Sequence, residues 1–487
     1  MSVVHQLSAG WLLDHLSFIN KAGYQLCPSC QYPAPSASCV APVSSTPSTE
    51  DFVAPSTFDT TYSTGDTPAS QPGAAVERAG ATLKKKYVFR EEFFHVFKPH
   101  IVAAPQQKPQ QGSSEADTRE GKDSGNGTEQ HKGAKSNDGA SVASARKKRK
   151  RKCSVFNQGE RDALEYHTKI RGLILEGTRC LIQEGLKSGF LHPISAEQSC
   201  IKNVVTGHVG CGLAELCEMA KNFPSVNEND HRTAQMIDEE TCIPEQDLLS
   251  CVTENNTNYT KIIHLMGQKY LVPPKSSFLL SDISCIQPLL NYKNKYDVIV
   301  IDPPWQNKSV KRSNRYSHLS SWQIKQIPIP ALAAPNCLVV TWVTNRQKHL
   351  RFVKEELYPH WSVKTLAEWH WVKITRSGEF VFPLDSSHKK PYEVLVLGRV
   401  QESIDLPLRK SDVEVLPIPD HKLIVSVPCT LHSHKPPLIE VLTEYIKPDV
   451  ECLELFARYL QPGWTSWGNE VLKFQHIDYF VALQNEN

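Results

Sequence analysis

The stretch that decides the fold is Lys-Tyr-Asp-Val-Ile-Val-Ile-Asp-Pro-Pro-Trp, residues 295–305. Its four β-branched residues, 298–301, are typical of a strand buried on both faces, as in a parallel sheet. Pro303 and Pro304 end this strand, because proline cannot donate a ladder hydrogen bond. Asp302 and Trp305 therefore lie just past the carboxyl end of a strand, where open α/β sheets bind ligands.

These groups suit methylation of an amino group on a nucleobase. The exocyclic nitrogen of adenine is a poor nucleophile, because its lone pair is delocalised into the ring. The Asp302 carboxylate and the Pro303 carbonyl could each accept one N–H and localise that lone pair, while Pro304 stiffens the loop. Trp305 could stack on an unstacked base. The alternative is a turn with a buried tryptophan.

The composition sets broad limits on the protein. A chain of 487 residues is long enough for two or three domains, and its formal charge of +2 provides no global basic field for nucleic acid. The 14 cysteines are scattered, and the N-terminus lacks a basic leader, which together predict a reduced intracellular protein. No apolar run approaches the ~20 residues of a membrane span.

Shifts in composition divide the chain into four segments. Residues 1–104 are mostly low-complexity sequence with short ordered aromatic segments, and residues 105–153 are a linker. We predict a helical accessory domain over 154–269 and the catalytic domain over 270–487. The aromatic stretch 84–97 is expected to dock on a folded part of the chain. Cys27 and Cys30 have zinc-knuckle spacing, but no second pair follows them, and we predict no metal.

Residues 146–152 are an unbroken run of seven lysines and arginines. Such a run stays exposed, and it is typical of a signal read by the nuclear import machinery. A nucleic-acid anchor and a merely solvated tether are the alternatives. We therefore expect a nuclear protein, with the cytoplasm as the alternative.

The second half of the chain alternates between helical and strand patterns. Apolar residues at intervals of three and four predict a helix over 156–186, and a second helix is expected near 212–223. Short apolar strands are predicted at 278–283, 296–301, 336–343, 369–374, 392–397 and 450–458, with a helix at 435–445. This alternation predicts a doubly wound α/β sheet, and the absence of G-x-G-x-x-G argues against a dinucleotide enzyme.

Six short motifs follow one another over roughly 200 residues: Ser281-Asp282-Ile283, Asp302-Pro303-Pro304-Trp305, Trp342-Val343-Thr344-Asn345, Ser433-His434-Lys435-Pro436-Pro437, Glu454-Leu455-Phe456-Ala457-Arg458 and Trp464-Thr465-Ser466-Trp467-Gly468-Asn469. In these motifs and their permuted order, residues 270–475 resemble the adenine-N6 methyltransferase family with the Asp-Pro-Pro-Trp motif, which includes the messenger-RNA adenosine methyltransferases. The resemblance implies a permuted Rossmann-like core that uses S-adenosylmethionine.

The resemblance also implies roles for single residues. Asp282 and Ile283 would hold the adenine end of the cofactor, and Lys435 would pair with its carboxylate. Asp302 would lie near its ammonium group as well as near the substrate amine. The remaining contacts would come from Arg458 and Asn469 on the ribose, and from Glu454, whose other reading is an internal partner for Arg458. The family continues Arg-Pro-His-Asn where this chain has Arg458-Tyr459-Leu460-Gln461, which puts one ribose contact in doubt.

Two polar loops are candidates for substrate binding. One follows Trp305, and the other faces it as an opposing wall; their basic residues are Lys308, Lys311, Arg312, Arg315, His388 and Lys389. These side chains could track phosphates, and solvated surface loops are the alternative.

The resemblance implies RNA as the substrate, with 2′-O-methyladenosine of small nuclear RNA as one target. The alternatives are a DNA adenine methyltransferase, a catalytically inactive scaffold, and a nucleic-acid-binding adaptor that relies on residues 146–152. We expect a monomer, with an additional partner subunit as the other possibility.

Overall fold

A computed structural model describes residues 2–26, 85–100, 157–193, 212–220, 234–237, 243, 245–293, 295–306, 318–386, 389–401 and 415–483. Several sequence predictions fall outside these ranges and stay predictions: the Cys27 and Cys30 pair, the basic run 146–152, and the candidate substrate residues Lys308, Lys311, Arg312, Arg315 and His388.

The described residues form sixteen strands and ten short or long α-helices. The strands are β1 (Val3–Leu7), β2 (Gly10–Leu13), β3 (Lys86–Phe89), β4 (Ala234–Met236), β5 (Val252–Asn255), β6 (Lys261–Leu265), β7 (Gln268–Val272), β8 (Ser276–Leu279), β9 (Tyr296–Ile301), β10 (Ala333–Val343), β11 (Val363–Lys373), β12 (Tyr392–Val400), β13 (Leu423–Ser426), β14 (Cys452–Leu455), β15 (Trp464–Trp467) and β16 (Phe480–Leu483). The helices are α1 (His15–Lys21), α2 (Gln158–Lys187), α3 (Leu213–Ala220), α4 (Glu245–Ser250), α5 (Gln287–Tyr292), α6 (Ser321–Lys325), α7 (Ile329–Leu332), α8 (Gln347–Arg351), α9 (Tyr358–His360) and α10 (Ile439–Leu442), with a π-helical segment, Phe352–Leu357, between α8 and α9.

Within the described part of the chain, one 12-stranded sheet carries the fold, in the order β1-β2-β13-β11-β12-β10-β9-β14-β15-β8-β5-β4. Its strand pairings show that eight strands share one direction: β2, β8, β9, β10, β11, β13, β14 and β15. The predicted doubly wound α/β sheet, with a Rossmann-like central part, is confirmed.

The central strand β9 is buried on both faces, as its β-branched residues predict. Ile299 and Ile301 belong to a core cluster on one face, while Val298 and Val300 belong to a second cluster on the other face. Alternate residues of a strand point to opposite faces, so both sides of the sheet must be covered. Asp302 leaves the sheet at the end of this fully buried strand.

The predicted long helix is confirmed as α2. Its Asn157 cap and Glu160 form a capping box, and its buried face packs against the edge strands of the sheet. The helix predicted over 435–445 begins only at α10, because Pro436 and Pro437 disfavour helical backbone at the residues that precede them.

Segments outside the predicted catalytic region also build the sheet. Strand β2 pairs with β13, and β4 and β5 extend the opposite edge beyond β8. The aromatic stretch docks as predicted, since β3 pairs with β16 and Phe89, Phe93 and Phe94 are buried. Region 154–269 contains β4 to β6 and the start of β7 besides its helices. These strands have only three to five residues and depend on pairing partners, so local periodicity does not reveal them.

The four-segment division of the chain stays a prediction. Among the described residues, no helix has the length and apolar character needed to cross a membrane.

Candidate active site

Four neighbouring parallel strands end level with one another at one edge of the sheet. The last residues of β9, β14, β15 and β8 lie in one row, with Ile301 opposite Leu455, Leu455 opposite Trp467, and Trp467 opposite Leu279. The polar residues that follow these strands therefore lie along the same edge: Asp302, Arg458, Asn469 and Asp282. The carboxyl edge of parallel strands is where such sheets bind ligands.

Asp302 is the centre of a buried group of charges. It is 8% exposed, and its backbone N–H donates to Leu455 O at 3.2 Å. Arg458 Nη1 donates to Asp302 Oδ2 at 2.9 Å, and Lys435 Nζ lies 3.6 Å from Asp302 Oδ1. Three residues far apart in sequence thus place two cations on one carboxylate.

The two cations are in turn shared with further carboxylates. Lys435 Nζ lies 2.5 Å from Glu393 Oε2, and Lys373 Nζ lies 2.5 Å from Glu393 Oε1. On the other side, Arg458 Nε donates to Glu470 Oε2 at 3.1 Å. We call the connected side chains the charge cluster; they are Lys373, Glu393, Lys435, Asp302, Arg458, Glu470 and Lys473, whose Nζ lies 2.7 Å from Glu470 Oε1.

Mutual pairing favours the charged forms of Lys435 and Glu393 despite their burial. Burial alone would lower the pKa of Lys435, but the carboxylates of Asp302 and Glu393 outweigh it and raise that pKa. Burial likewise acts to raise the pKa of Glu393, yet Lys373 and Lys435 hold it well below its usual range. Paired charges of this kind are fixed in place before a ligand arrives.

Sequence reasoning missed Glu393 and Lys373. Strand β12 runs antiparallel to both β10 and β11, so its beginning lies at the edge where those strands end. Glu393 is the second residue of β12, and Lys373 is the last of β11. A lone acid at the start of an otherwise apolar strand was the available signal.

Glu454 is buried on β14. The sequence left open that it pairs with Arg458, but the structure shows no such pair. Its Oε2 accepts a hydrogen bond from Gln461 Nε2 at 3.0 Å. Burial, reinforced by the negative charge of Asp302, raises the pKa of Glu454 to about 8. Near neutral pH it is therefore largely a protonated acid beside the charge cluster.

Tight backbone turns bring β14 and β15 to the site. Phe456 has φ +61°, a left-handed conformation that is uncommon for a large side chain, and it turns the chain so that Arg458 reaches Asp302. Gly468 lies against this turn: a Cβ there would be 3.0 Å from Ala457 O and 3.2 Å from the Phe456 Cα. The glycine is needed for this close approach.

Trp305 is placed differently from the sequence expectation. Only 5% of it is exposed, its Nε1 donates to Trp342 O at 2.8 Å, and its ring packs against His349. Since the ring face is covered in this structure, it is not open to a base. An indole ring is stabilised by apolar neighbours together with a carbonyl acceptor for its N–H. Trp305 therefore anchors the loop.

The carbonyls of the loop also have backbone partners. Trp305 N donates to Pro303 O at 2.8 Å, and Leu319 N donates to Pro304 O at 3.2 Å. A carbonyl oxygen has a second lone pair, so Pro303 keeps one for a further donor. These bonds hold the Asp-Pro-Pro-Trp loop from both ends.

The other predicted residues are more peripheral. Asp282 is half-buried and caps the 3₁₀ turn Ile283–Cys285, accepting from Ser284 N at 2.8 Å, while Ile283 packs on the core. Asn469 is half-buried at the end of β15. Lys389 is exposed, with its Nζ 5.3 Å from the Phe382 ring centroid.

The donor set fits the methionine end of S-adenosylmethionine. That end is a zwitterion. Lys435 and Asp302 lie 3.6 Å apart, so that the lysine could pair with its carboxylate and the aspartate with its ammonium group. The charge cluster itself contains four cations and three carboxylates. Among the described residues no group of three or more His, Cys, Asp or Glu is arranged to hold a metal ion.

Fold and site together define a Rossmann-like methyltransferase. Residues 296–470 match the family model MT-A70. The whole chain is 62% identical, over 495 residues and 100% of both chains, to a human protein named N(6)-adenine-specific methyltransferase METTL4. The protein therefore belongs to the MT-A70 family.

Two more distant relatives match the catalytic part. A Pyricularia oryzae protein named N6-methyladenosine RNA methyltransferase MTA1 is 34% identical over 230 residues, which are 45% of this chain and 58% of that protein. A Caenorhabditis elegans protein named DNA N6-methyl methyltransferase is 34% identical over 218 residues, 43% of this chain and 56% of the relative.

Proposed function

We propose that this protein transfers the methyl group of S-adenosylmethionine to the N6 amine of adenosine in RNA, with 2′-O-methyladenosine of small nuclear RNA as a target. Adenine-N6 methylation is the activity named for the relative that is 62% identical over the full length. The cofactor, the RNA substrate and the residue roles are the parts that this proposal adds.

The observation that carries the proposal is the placement of Asp302. Its carboxylate stands at the carboxyl edge of four parallel strands, between a lysine and an arginine that are themselves fixed by Glu393 and Glu470. A carboxylate held in this way accepts an N–H without reorganising, which is how preorganised polar groups stabilise a transition state.

The chemistry requires little beyond positioning. Bound S-adenosylmethionine supplies a methyl group that is already activated by its sulfonium. Asp302 would accept one N–H of the adenine amine and leave the nitrogen lone pair directed at that methyl group. The free lone pair of Pro303 O is available for the second N–H. As the nitrogen forms its bond to the methyl carbon, the bond between that carbon and the sulfonium sulfur would break, and the sulfur would leave with the electron pair. The nitrogen would then lose one proton, which Asp302 is placed to accept.

The names of the relatives point to both nucleic acids, since the fungal relative is named for RNA and the nematode relative for DNA, each at 34% identity. We propose RNA because the sequence resemblance implies it, and DNA is the competing substrate. We further propose that the protein acts as a monomer and enters the nucleus through residues 146–152. Replacing that run by Ala-Gly repeats should leave the protein in the cytoplasm with its methylation rate intact.

The decisive experiment measures cofactor binding and substrate choice together. Calorimetry with S-adenosylmethionine should show binding to the wild type, and Lys435→Ala should weaken it by about 1.5–3 kcal/mol, the range for hydrogen bonds to charged groups. Methylation is then compared on oligonucleotides of one sequence, as RNA, RNA with one 2′-O-methyladenosine, and single- and double-stranded DNA. RNA should be the best substrate.

Faster methylation of DNA would overturn the choice of RNA. A wild type that binds no cofactor would instead support the inactive scaffold.

A further inference from the structure

The N-terminal residues reach the catalytic edge of the sheet. Strand β2 pairs in parallel with β13, so it shares the direction of β9 and ends at the same edge. Gly10 allows this approach, because a Cβ there would lie 1.9 Å from Leu423 O. Asp14 follows β2 and caps α1, accepting from Ser17 N at 3.1 Å. His15 thus begins α1 on the side of the sheet that carries the charge cluster.

His15 contacts the residue that precedes Lys435. The ring centroids of His15 and His434 are 4.8 Å apart, and His434 stacks on Phe474 at 4.3 Å. Phe94 packs on His15 at 5.1 Å, and Phe89 packs on His434 at 5.6 Å. We call these five side chains the ring cluster. Three of its members come from the first 100 residues.

The two imidazoles are held by packing alone. They are 2% and 3% exposed, and within the described part of the chain no nitrogen of either ring has a hydrogen-bond partner. Burial lowers the pKa of His15 to about 3 and that of His434 well below its ordinary value. Both rings are therefore neutral and act as flat packing surfaces.

The backbone beside His434 needs this support. Ser433 has φ +65°, a left-handed conformation that strains a residue with a Cβ, and His434 N makes a long 3.4 Å bond to Leu431 O. His434 also borders a narrow crevice with room for about one water molecule, which is lined on the N-terminal side by Phe18, Ile19 and Tyr24. Without its ring neighbours the His434 side chain has space to move.

Any movement of His434 is passed directly to Lys435. The Lys435 ammonium depends on close geometry, with Glu393 at 2.5 Å, Asp302 at 3.6 Å and the Trp342 ring centroid at 5.1 Å. A small displacement of its backbone would alter all three contacts at once.

We propose that His15 is a positioning residue of the active site: through ring contact with His434, the N-terminal segment holds Lys435 in the geometry that binds the cofactor carboxylate. This inference rests on the proposed function, which gives Lys435 that role. It makes His15, with its ring neighbours Phe89 and Phe94, a support for the cofactor site.

The test compares three variants in the full-length protein by calorimetry with S-adenosylmethionine, steady-state kinetics and thermal melting. His15→Ala should weaken cofactor binding about tenfold and raise the cofactor KM with a smaller effect on kcat, as for misplaced supporting groups. His15→Phe keeps a flat ring and should restore affinity to within about twofold of wild type. If His15→Ala does not fold, His15→Leu provides a ring-free side chain of similar size.

Leu12→Ala is the matched control. Leu12 is fully buried in the same segment, but it packs against α2 and away from His434. It should lower the melting temperature while leaving cofactor affinity within about twofold of wild type.

Unchanged affinity in His15→Ala, or an equal loss in Leu12→Ala, would overturn the positioning role. Lys435→Ala separates this inference from the proposed function. If Lys435→Ala leaves affinity unchanged, the role of Lys435 fails; if it weakens binding while His15→Ala does not, only the inference about His15 fails.

Discussion

The side chain of Lys435 contacts Asp302 and Glu393, whereas the ring of the preceding residue, His434, packs against His15. In the charge cluster every ionised side chain has an opposite charge within reach. In the ring cluster four imidazole nitrogens are buried without a partner among the described residues. A charge cannot be buried alone, because its desolvation costs several kcal/mol, while a neutral imidazole loses only its hydrogen bonds.

A second pair of histidines, His370 buried and His421 half-buried, shows that the lack of partners is not general in this protein. His370 Nδ1 lies 3.0 Å from His421 Nε2, and its Nε2 lies 2.9 Å from the Tyr166 hydroxyl. Burial lowers the pKa of His370 to about 3, as it does for His15. The histidines of both pairs are neutral, but the two pairs differ in hydrogen bonding. The pair without hydrogen bonds, His15 and His434, is the one that adjoins the active site.

The largest expected effect comes from removing the central charge. Asp302→Asn keeps the size but leaves Lys435 and Arg458 without their shared carboxylate. We expect turnover to fall at least ~100-fold, as when one preorganised stabilising group is lost, with stability lower by about 1–3 kcal/mol. Steady-state methylation and chemical unfolding measure the two effects.

Near-normal turnover in both Asp302→Asn and Asp302→Ala would remove this loop as the catalytic centre.

A smaller effect should appear on acidification. The pKa values of His15 and His434 lie below the unfolded value of about 6.5, so below that pH the unfolded state binds more protons than the folded state. His15 should therefore cost about 2 kcal/mol of stability at pH 5 and nothing above pH 7, and His434 should act in the same direction. Urea unfolding at a series of pH values provides the slope.

His15→Phe should flatten that slope by the contribution of one proton. An identical slope in wild type and variant would mean that the ring is charged or solvated.

The smallest effect distinguishes the two histidine pairs at pH 7.5. His434→Phe loses no hydrogen bond and should leave stability unchanged or slightly higher. His370→Phe leaves His421 and Tyr166 with one partner fewer and should cost about 1–2 kcal/mol. Equal losses in the two variants would contradict the difference in hydrogen bonding.

Local sequence was enough to predict the fold class and the position of its centre. Four consecutive β-branched residues favour a strand with two covered faces, and the two prolines that follow end it, so the local pattern alone placed Asp302 at the catalytic edge. Residues 158–187 were recognisable as a helix because periodicity is local. Motif order supplied Lys435 and Arg458, and both lie against Asp302.

The other groups that share that edge are brought there by long-range packing. Glu393 meets Lys435 because β12 runs antiparallel, and His15 meets His434 because β2 pairs in parallel with β13 more than 400 residues later. Trp305 is buried because β10 offers it a carbonyl and a hydrophobic wall. Strand direction and pairing over long separations are set by the global packing of the sheet, which leaves no mark in the local pattern of residues.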